Sequence, residues 1–403
     1  MAVVGAGYAG LAAAVTLAQR GERVTVFESG PVPGGRARRV ITGGRTLDNG
    51  QHILVGAYTT LLGLMRQVGA DPETLLLRLP LELRYAEGFH LRAPALPAPF
   101  HLAAALVGAT GISWRQRLSA VAFMQAMKRK RYRVDSHVSV ATLLEAHGQA
   151  GTIGRYLWFP LCISALNTLP PQASANAFLA VLRDSLAGPR SASELLFPRV
   201  DLTRLFPEPA AAWLAAHGGE VRCGSPVREL DSLKRQFSHV IVAVGPHQLE
   251  PILPGLSSSY TYQPIYTVYL KFPATVKLPL AMLGLAEGIV QWVFDRGQLG
   301  GEPGLLACVI SAQGDHQQME HAELTGTCHR ELSAALGNLP KPEWTQVIAE
   351  KRATVTCVPD IKRFGPATPH PNVFLAGDYT DPEYPPTLEA AVLSGVRAAA
   401  QIP

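Results

Sequence analysis

The sequence predicts an α/β fold in which helices pack on a parallel sheet, joined to a second part of α+β character with helices and an antiparallel sheet. An apolar run, a glycine-containing turn and a helical segment open the chain, and a similar order returns between residues 373 and 395. In the middle, Tyr262 to Phe272, Ile289 to Phe294 and Leu305 to Ile310 have the pattern of strands, which we expect to form the antiparallel sheet.

The composition limits the classes of protein to consider. At 403 residues the chain is long enough for two or three domains, and 47% apolar with 17% charged residues is typical of a globular protein rather than a disordered one. The net charge of +5 is too small to indicate a nucleic-acid partner. The five cysteines are widely spaced, which predicts neither a disulfide framework nor a metal site and is typical of a reducing compartment.

The chain opens in the order strand, turn, helix, strand. Val3-Val4 ends a buried strand, Gly5 to Gly10 has the pattern GxGxxG, Leu11 to Gln19 is helical, and Val24 to Phe27 is the next strand. A secretion signal is the alternative for this apolar stretch, but no basic region precedes it and its glycines suit such a segment poorly. The first strand is very short, which is consistent with a few residues missing upstream.

Each part of this motif has a task in dinucleotide binding. Gly5 permits the tight turn, Gly7 lets backbone approach a pyrophosphate, and Gly10 lets helix and strand pack closely. The helix N-terminus offers free N–H groups to phosphates, and Glu28, at the end of the next strand, can accept hydrogen bonds from a ribose. A glycine-rich turn without a ligand is the alternative. The residues assigned to this part of the site are Gly5, Ala6, Gly7, Tyr8, Ala9, Gly10, Glu28 and Ser29.

Two further segments have the character of a phosphate and ring site. The backbone N–H groups of Gly34 and Gly35 and the guanidinium of Arg36 suit a second set of contacts to a diphosphate. A solvated basic loop is the alternative for this segment. Near the other end, the apolar strand 373–376 runs into Gly377-Asp378, and a helix opens at Thr387 after a proline. Residues 218–222 and 226–230 are expected to be paired strands, and 239–244 a further buried strand.

With GxGxxG, a strand-end glutamate, GGR and a carboxy-terminal Gly-Asp, the chain resembles the FAD-dependent amine oxidase and phytoene desaturase superfamily. The resemblance implies FAD as cofactor, held by a Rossmann-type domain. It further implies that Asp378 touches the ribityl–phosphate region and that the helix start at Thr387 and Leu388 points at the flavin ring. It also implies a backbone contact from Val227 to adenine, for which ordinary sheet is an equal alternative.

The stretch Leu47 to Tyr58, with Gly50, Gln51 and His52 beside the flavin, looks like the plant-type carotene desaturase branch. Segments such as Trp158 to Cys162 are similar still more closely to the hydroxysqualene dehydroxylases. That resemblance implies a long-chain triterpenoid substrate, hydroxysqualene, whose allylic hydroxyl is removed by hydride from reduced FAD to give squalene, with an unknown electron donor. A carotenoid or polyprenyl desaturase, an amine oxidase-like flavoenzyme, and a non-catalytic prenyl-lipid binding protein of the same fold are the alternatives.

Three residues are candidates for the proton donor that such a reaction needs. His52 titrates near neutral pH and lies in the stretch expected beside the flavin, although a histidine that only shapes the pocket by bonding to backbone is the alternative. Tyr379 and Asp48 are the other two candidates. Asp378 and Glu389 are better explained as a cofactor group and a helix-start group.

The middle of the chain interrupts the cofactor framework, which predicts a discontinuous FAD-binding domain (1–85, 205–255 and 355–403) and a substrate- and membrane-facing domain (86–204 and 256–354). Leu91 to Ser113 is apolar but broken by prolines and glycines, so it is not expected to span a bilayer. The amphipathic helix Trp114 to Met127 ends in a basic cluster. This indicates a peripheral membrane contact through Leu102 to Arg133 and a cytoplasmic protein on the inner face of the membrane, with a solvated basic helix end as the alternative.

Overall fold

A computed structural model describes residues 1–256 and 259–403. The strands are β1 (Ala2–Val4), β2 (Thr25–Phe27), β3 (Arg39–Thr42), β4 (Arg45–Asp48), β5 (Leu54–Val55), β6 (Leu76–Leu79), β7 (Glu82–Arg84), β8 (His90–Arg92), β9 (Leu195–Pro198), β10 (Glu220–Arg222), β11 (Val240–Val242), β12 (Tyr262–Lys271), β13 (Met282–Gly284), β14 (Trp292–Asp295), β15 (Leu305–Ser311), β16 (Trp344–Val355) and β17 (Val373–Leu375).

The α-helices are α1 (Tyr8–Gln19), α2 (Thr59–Gln67), α3 (Pro72–Leu75), α4 (Phe100–Gly108), α5 (Trp114–Arg129), α6 (Val140–Ala146), α7 (Phe159–Leu166), α8 (Ala175–Leu186), α9 (Leu202–Leu205), α10 (Pro207–Ala216), α11 (Leu230–Gln236), α12 (Leu249–Ile252), α13 (His321–Leu336) and α14 (Leu388–Ala400). A π-helical turn, Gly154–Trp158, leads into α7.

A parallel sheet with the strand order β10-β2-β1-β11-β17 contains both ends of the chain. The register places Ala2 opposite Thr25 on one side and Val240 on the other, and Val240 opposite Val373. Because all five strands run the same way, their carboxyl ends share one edge, where ligands bind in folds of this kind. The predicted α/β class is confirmed, and only β11 lies between the first strand and the last.

Helices α1 and α14 pack tightly together on one face of this sheet. A Cβ at Gly395 of α14 would lie 2.1 Å from the backbone oxygen of Ala9, so only glycine permits this approach. Leu11, Val15 and Val392 are fully buried in the core beneath these helices. The opposite face of the sheet is covered by a second, smaller apolar cluster.

The antiparallel sheet has the order β13-β14-β15-β12-β16, which confirms the three predicted strands in this region. Its two faces belong to different cores because successive side chains of a strand point to opposite sides. Val268 packs with α13 on one face, whereas Tyr269 packs on the other with Trp292 and Phe294. The core that contains Tyr269, Trp292 and Phe294 also includes residues of α5, α7 and α8 and forms the interior of the middle part of the chain.

One predicted element is wrong and another is confirmed. Residues 226–230 are not a strand paired with 218–222, because β10 pairs in parallel with β2 and the chain then turns at Gly224, with a positive φ of 66°, into α11. The helix predicted from Trp114 is α5, and its start is fixed by a capping box between Ser113 and Gln116.

The apolar stretch before α5 forms β8 and α4, separated by a proline-rich turn. Along residues 1–256 and 259–403 the structure has no helix of the length and apolar character needed to cross a bilayer. Strand β9, from the segment 86–204, pairs with β5 and β6 from the segment 1–85. The two parts are therefore connected by sheet pairing, and the domain boundaries stay a prediction.

Candidate functional site

The glycine-rich turn joins β1 to α1 at the ligand-binding edge of the parallel sheet. A Cβ at Gly10 would lie 1.9 Å from the oxygen of Gly5, and a Cβ at Gly5 would lie 2.5 Å from the oxygen of Ala243, so the fold itself requires both glycines. A Cβ at Gly7 would meet only the Cα of Gly35, at 3.9 Å. Gly7 is therefore not demanded by packing within the chain, as expected where backbone must approach a ligand.

Glu28 closes this turn from the end of β2. Its Oε2 accepts the N–H of Ala6 at 2.8 Å, and its Oε1 accepts the N–H of Gly30 at 2.7 Å and the hydroxyl of Ser29 at 3.3 Å. The side chain of Tyr8 points away from the turn and donates from its hydroxyl to the oxygen of Leu202 at 3.1 Å. The predicted residues of this motif thus lie together: the backbone of the glycine turn leads into the start of α1, and the carboxylate of Glu28 lies beside that turn.

The second glycine pair lies directly on the first. The N–H of Gly34 donates to the oxygen of Ala6 at 2.8 Å, and Gly35, with a φ of 61°, packs on the backbone of Gly7. Arg36 follows, and its guanidinium donates to the oxygen of Ala353 and to the Oδ1 of Asp378, both at 2.7 Å. Arg36 and Asp378 form an ion pair in which the carboxylate is buried. This contact joins the amino-terminal and carboxy-terminal motifs.

The carboxy-terminal motif is held by its own helix. The N–H of Gly377 donates to the hydroxyl of Ser394 at 2.8 Å. Thr387 caps α14, because its Oγ1 accepts the N–H of Ala390 at 3.1 Å. Its side chain is therefore used by the helix, and Leu388 is the first helical residue.

Glu389 in the first turn of α14 is buried, and burial raises the pKa of its carboxyl against the opposing effect of its hydrogen bonds. It accepts the N–H groups of Thr60 and Leu61 at 2.8 and 2.9 Å. These are groups at the N-terminus of α2, so Glu389 fixes two helix starts against each other, in agreement with its interpretation as a helix-start group.

The structure offers two observations on whether a flavin dinucleotide fits here. Within the described ranges, the buried hydroxyl of Tyr379 has no hydrogen-bond partner, and the charges of Asp378 and Arg36 act on both this hydroxyl and that of Tyr262. An unpaired buried hydroxyl is costly, and a polar ligand at the Arg36–Asp378 pair would give Tyr379 a partner. In addition, a cavity of about 430 Å³ lies at the carboxyl ends of β2 and β10. Its lining includes Phe27, Arg222 and the loop that contains Val227.

This cavity adjoins Glu28, the residue predicted to bind a ribose, because β2 ends at Phe27. Val227 lies in the loop between β10 and α11 and lines the cavity, rather than sitting in a strand. Glycine turn, carboxylate and cavity together suit the nucleotide end of a dinucleotide, and the residues fit the group. The contact between Val227 and adenine stays a prediction.

Asp48 ends β4 and is the centre of a buried polar cluster. It is 4% exposed; its Oδ1 accepts the N–H of Leu202 at 2.8 Å, and its Oδ2 lies 3.9 Å from the guanidinium of Arg296. Burial raises the pKa of Asp48 to about 6, opposed by the positive charge of Arg296 and the hydrogen bond from Leu202. Arg296 also donates to the Oε1 of Gln51 at 3.0 Å, and Tyr269 donates to the backbone oxygen of Asp48.

His52 is bound to its own backbone. Its Nδ1 lies 2.7 Å from the oxygen of Gly50. Because a carbonyl oxygen only accepts, Nδ1 carries the proton and Nε2 is left as an acceptor in the neutral ring. Burial, together with the charge of Arg36, lowers the pKa of His52 below its ordinary value although the Gly50 contact opposes this. This geometry matches a pocket-shaping histidine more closely than a donor, and the catalytic assignment stays a prediction.

Tyr379, the third candidate, packs in the cluster on the far face of the parallel sheet. Its ring lies 6.4 Å from those of Tyr260 and Phe364, measured between centroids. Burial raises the pKa of its phenol far above the ordinary value. Two residues of the site, Arg296 and Tyr262, were not predicted. A charged residue immediately after a buried strand, as in Phe294-Asp295-Arg296, was the available signal for the first.

Comparison with known proteins agrees with this geometry. A family model described as flavin containing amine oxidoreductase matches residues 8–403. The chain therefore belongs to the flavin containing amine oxidoreductase family, and it is a flavin-dependent oxidoreductase. A cyclohexylamine oxidase from Brevibacterium oxydans has the same fold, with a TM-score of 0.69 at 20% identity over 100% of this chain and 98% of its own.

Within that family, the chain is similar over nearly its whole length to hydroxysqualene dehydroxylases, and at a lower identity of 24% to a probable zeta-carotene desaturase of Synechococcus elongatus, over 99% of this chain and 97% of that protein. It is 30% identical to a hydroxysqualene dehydroxylase of Rhodopseudomonas palustris, over 98% of this chain and 96% of that protein. It is 28% identical to a hydroxysqualene dehydroxylase of Sinorhizobium fredii, with the same two coverages of 98% and 96%. The resemblance seen in the sequence is thereby confirmed.

Proposed function

We propose that this protein is an FAD-dependent hydroxysqualene dehydroxylase that removes the allylic hydroxyl of hydroxysqualene and forms squalene. The full-length similarity to hydroxysqualene dehydroxylases carries the proposal. Reduced FAD, when bound, supplies the hydride that replaces the hydroxyl group at carbon. The overall change consumes one hydride and one proton and releases water.

In this proposal the flavin is FAD, which is supported by the glycine turn, Arg36 and the cavity beside Glu28, since these features suit both ends of a dinucleotide. The N–H groups at the start of α1, the glycine pair and Arg36 would hold the diphosphate, and Glu28 the ribose. The loop of Val227 would face the adenine. Gly50, Gln51 and His52 would line the ring, and the N–H groups at the start of α14 would face its carbonyl oxygens.

The chain must also deliver a proton, because hydroxide leaves an allylic carbon far more easily as water. Of the three candidates we favour Asp48, because burial raises the pKa of its carboxyl to about 6, so that a fraction of the carboxyl keeps a transferable proton near neutral pH. The pKa of His52 is lowered and its Nε2 accepts in the neutral ring, whereas burial raises the pKa of the Tyr379 phenol far above neutral pH and makes it a weak acid. The backbone N–H of Leu202 and the guanidinium of Arg296 would fix the position of the Asp48 carboxyl.

An apolar interior protects such a reaction, because an allylic cation is captured by water wherever water is present. The antiparallel sheet turns Tyr269, Trp292 and Phe294 toward the interior shared with α5, α7 and α8. We propose that this side of the sheet borders the chain of the substrate.

The test is direct. Purified protein should be yellow and release FAD on denaturation, and the photoreduced protein mixed anaerobically with hydroxysqualene should yield squalene and reoxidised flavin in equal amounts. The D48N variant should bind FAD but form squalene far more slowly. Conversion of a polyprene to a more unsaturated product by the oxidised protein, without squalene formation by the reduced one, would instead support a desaturase and contradict the proposal.

The location proposed for the protein follows from its substrate. A triterpenoid alcohol partitions into lipid, so an enzyme that acts on it gains by residing at a bilayer. We propose a cytoplasmic protein on the inner face of the membrane, in contact through the region Leu102 to Arg133, where α4 and α5 lie.

A further inference from the structure

Exposed large apolar side chains concentrate on α4, α5 and the turn before them. Between 42% and 64% of each of these side chains is exposed. We call them the α4–α5 patch, and its members are Leu96, Phe100, Val107, Trp114 and Leu118. These residues lie on two helices that pack against each other and on the turn before them, and exposed apolar side chains concentrated in this way mark an interaction site.

The patch is held rigidly because the same two helices are anchored by their inner faces. Ala105 and Leu106 of α4, and Phe123 and Met127 of α5, are buried in the core shared with α7 and α8. The outward residues are therefore not misplaced core residues, since the core positions of both helices are already filled.

One exposed line of side chains runs along α5 from the patch to a basic end. Trp114, Leu118, Gln125 and Arg129 follow each other at intervals of four, seven and four residues, which places them on one face of a helix. The helix extends for about 24 Å, from an apolar start to a charged end. Lys128, Arg129 and Lys130 are all exposed.

The charge of the segment identifies the kind of surface that it fits. From Gly88 to Val134 there is no Asp or Glu, and eight residues are basic: Arg92, Arg115, Arg117, Lys128, Arg129, Lys130, Arg131 and Arg133. Removing these eight from the 36 Lys and Arg of the chain leaves 28 basic residues against 31 acidic ones. The positive charge of the protein thus resides in this one segment, and the remainder is acidic.

We infer that the α4–α5 patch is the membrane-docking surface and that its partner is a bilayer containing anionic lipid. Phe100, Val107, Trp114 and Leu118 enter the interface between headgroups and acyl chains, and the basic end of α5 contacts lipid phosphates. The choice of lipid rests on charge complementarity and on the proposed function, whose substrate is stored in bilayers. The docking is monotopic, since the described helices are too short and polar to cross.

The test is sedimentation of the flavin-loaded full-length protein with vesicles of phosphatidylcholine alone or mixed with phosphatidylglycerol. The triple variant F100S/W114S/L118S should lower the partition coefficient at least about tenfold on both vesicles. The variant K128Q/R129Q/K130Q should lose the preference for the anionic mixture and its salt sensitivity. The matched control is I41S, because Ile41 on β3 is 74% exposed but lies outside the patch, and its partitioning should equal that of the unmodified protein.

Unchanged partitioning of the triple variant would overturn the inference. A concentration-dependent dimer, seen by analytical ultracentrifugation and abolished by the same substitutions, would also overturn it if vesicle binding were absent. Squalene formation from detergent-dispersed hydroxysqualene is measured separately. Vesicle binding without squalene formation would reject the proposed function and leave the docking surface standing, and the reverse result would reject the docking surface alone.

Discussion

Replacement of Asp48 by asparagine tests the electrostatics of the buried cluster. In the folded protein the pKa of Asp48 lies at about 6, against an ordinary value of 3.8. At about 1.4 kcal/mol per pH unit, this difference means that ionised Asp48 costs the fold about 3 kcal/mol relative to the protonated carboxyl. A raised carboxyl pKa gives stability that is complete below about pH 3.8 and is lost as the pH rises through about 6. Asparagine stays neutral and does not incur that loss.

We therefore expect the free energy of unfolding of D48N, minus that of the unmodified protein, to rise by about 2 kcal/mol between pH 4 and pH 7, because part of the full effect is already lost at pH 4. The measurement is urea denaturation of both proteins at several pH values, followed by tryptophan fluorescence at fixed saturating FAD. The Oδ1 of asparagine can still accept the N–H of Leu202, so the hydrogen bond present at 2.8 Å is kept.

The matched control has the opposite sign. Asp71 is an exposed N-cap residue whose pKa is lowered by hydrogen bonds from Thr74 and from the backbone N–H of Glu73. Its contribution is present at high pH and is lost as the pH falls, so D71N should become relatively less stable as the pH rises. If the D48N difference were flat or fell between pH 4 and pH 7, Arg296 would be holding Asp48 ionised, and the case for Asp48 as a proton donor would fail.

Three further outcomes follow from the site geometry. G7A should fold normally yet bind FAD at least about tenfold more weakly in flavin titrations. G10A, whose Cβ would lie 1.9 Å from a backbone oxygen, should instead lose about 1–3 kcal/mol of unfolding free energy in denaturation experiments. A double-mutant cycle with R36M and D378N, measured in FAD affinity, should give a coupling free energy of about 1 kcal/mol. Solvent screening keeps this coupling free energy small, because Arg36 is 38% exposed. Additive effects of the two substitutions would argue against the ion pair. E389Q should cost about 1 kcal/mol of unfolding free energy, because its amide replaces one of two acceptor oxygens.

The parts of the fold that were predictable are those encoded by adjacent residues. The glycine spacing from Gly5 to Gly10 and the apolar runs around it specify a strand, a turn and a helix, because Gly10 is required by a contact with Gly5 and Gly5 by a contact with the residue after a neighbouring strand. The capping box at Ser113 likewise fixes the start of α5 locally. The false strand at 226–230 shows the limit, since nothing in its residues reveals that β10 lies at the edge of the sheet.

The parts that were not predictable depend on distant residues. Arg296 reaches Gln51 across 245 positions of the sequence, and the pKa of Asp48 is raised by burial among distant elements and opposed by the charge of Arg296. For α5 the sequence indicated a helix but not that Trp114 and Leu118 would be its exposed apolar residues, and for α4 it indicated an apolar stretch but not a helix. Which face a helix buries is decided by the elements that pack on it.

The order of the parallel sheet explains why the two ends of the chain make one site. Because β11 alone separates β1 from β17, the turn after the first strand and the turn after the last lie at the same edge, and Arg36 can reach Asp378 across 342 positions. Closing so long a loop has a substantial entropic cost. A ligand that binds both ends of the chain would offset part of this cost, because it binds only the folded state. A flavin held in this way, as proposed, would stabilise the folded chain by an amount that grows with the logarithm of its concentration over its dissociation constant, so cofactor binding and the joining of the two termini would be linked equilibria.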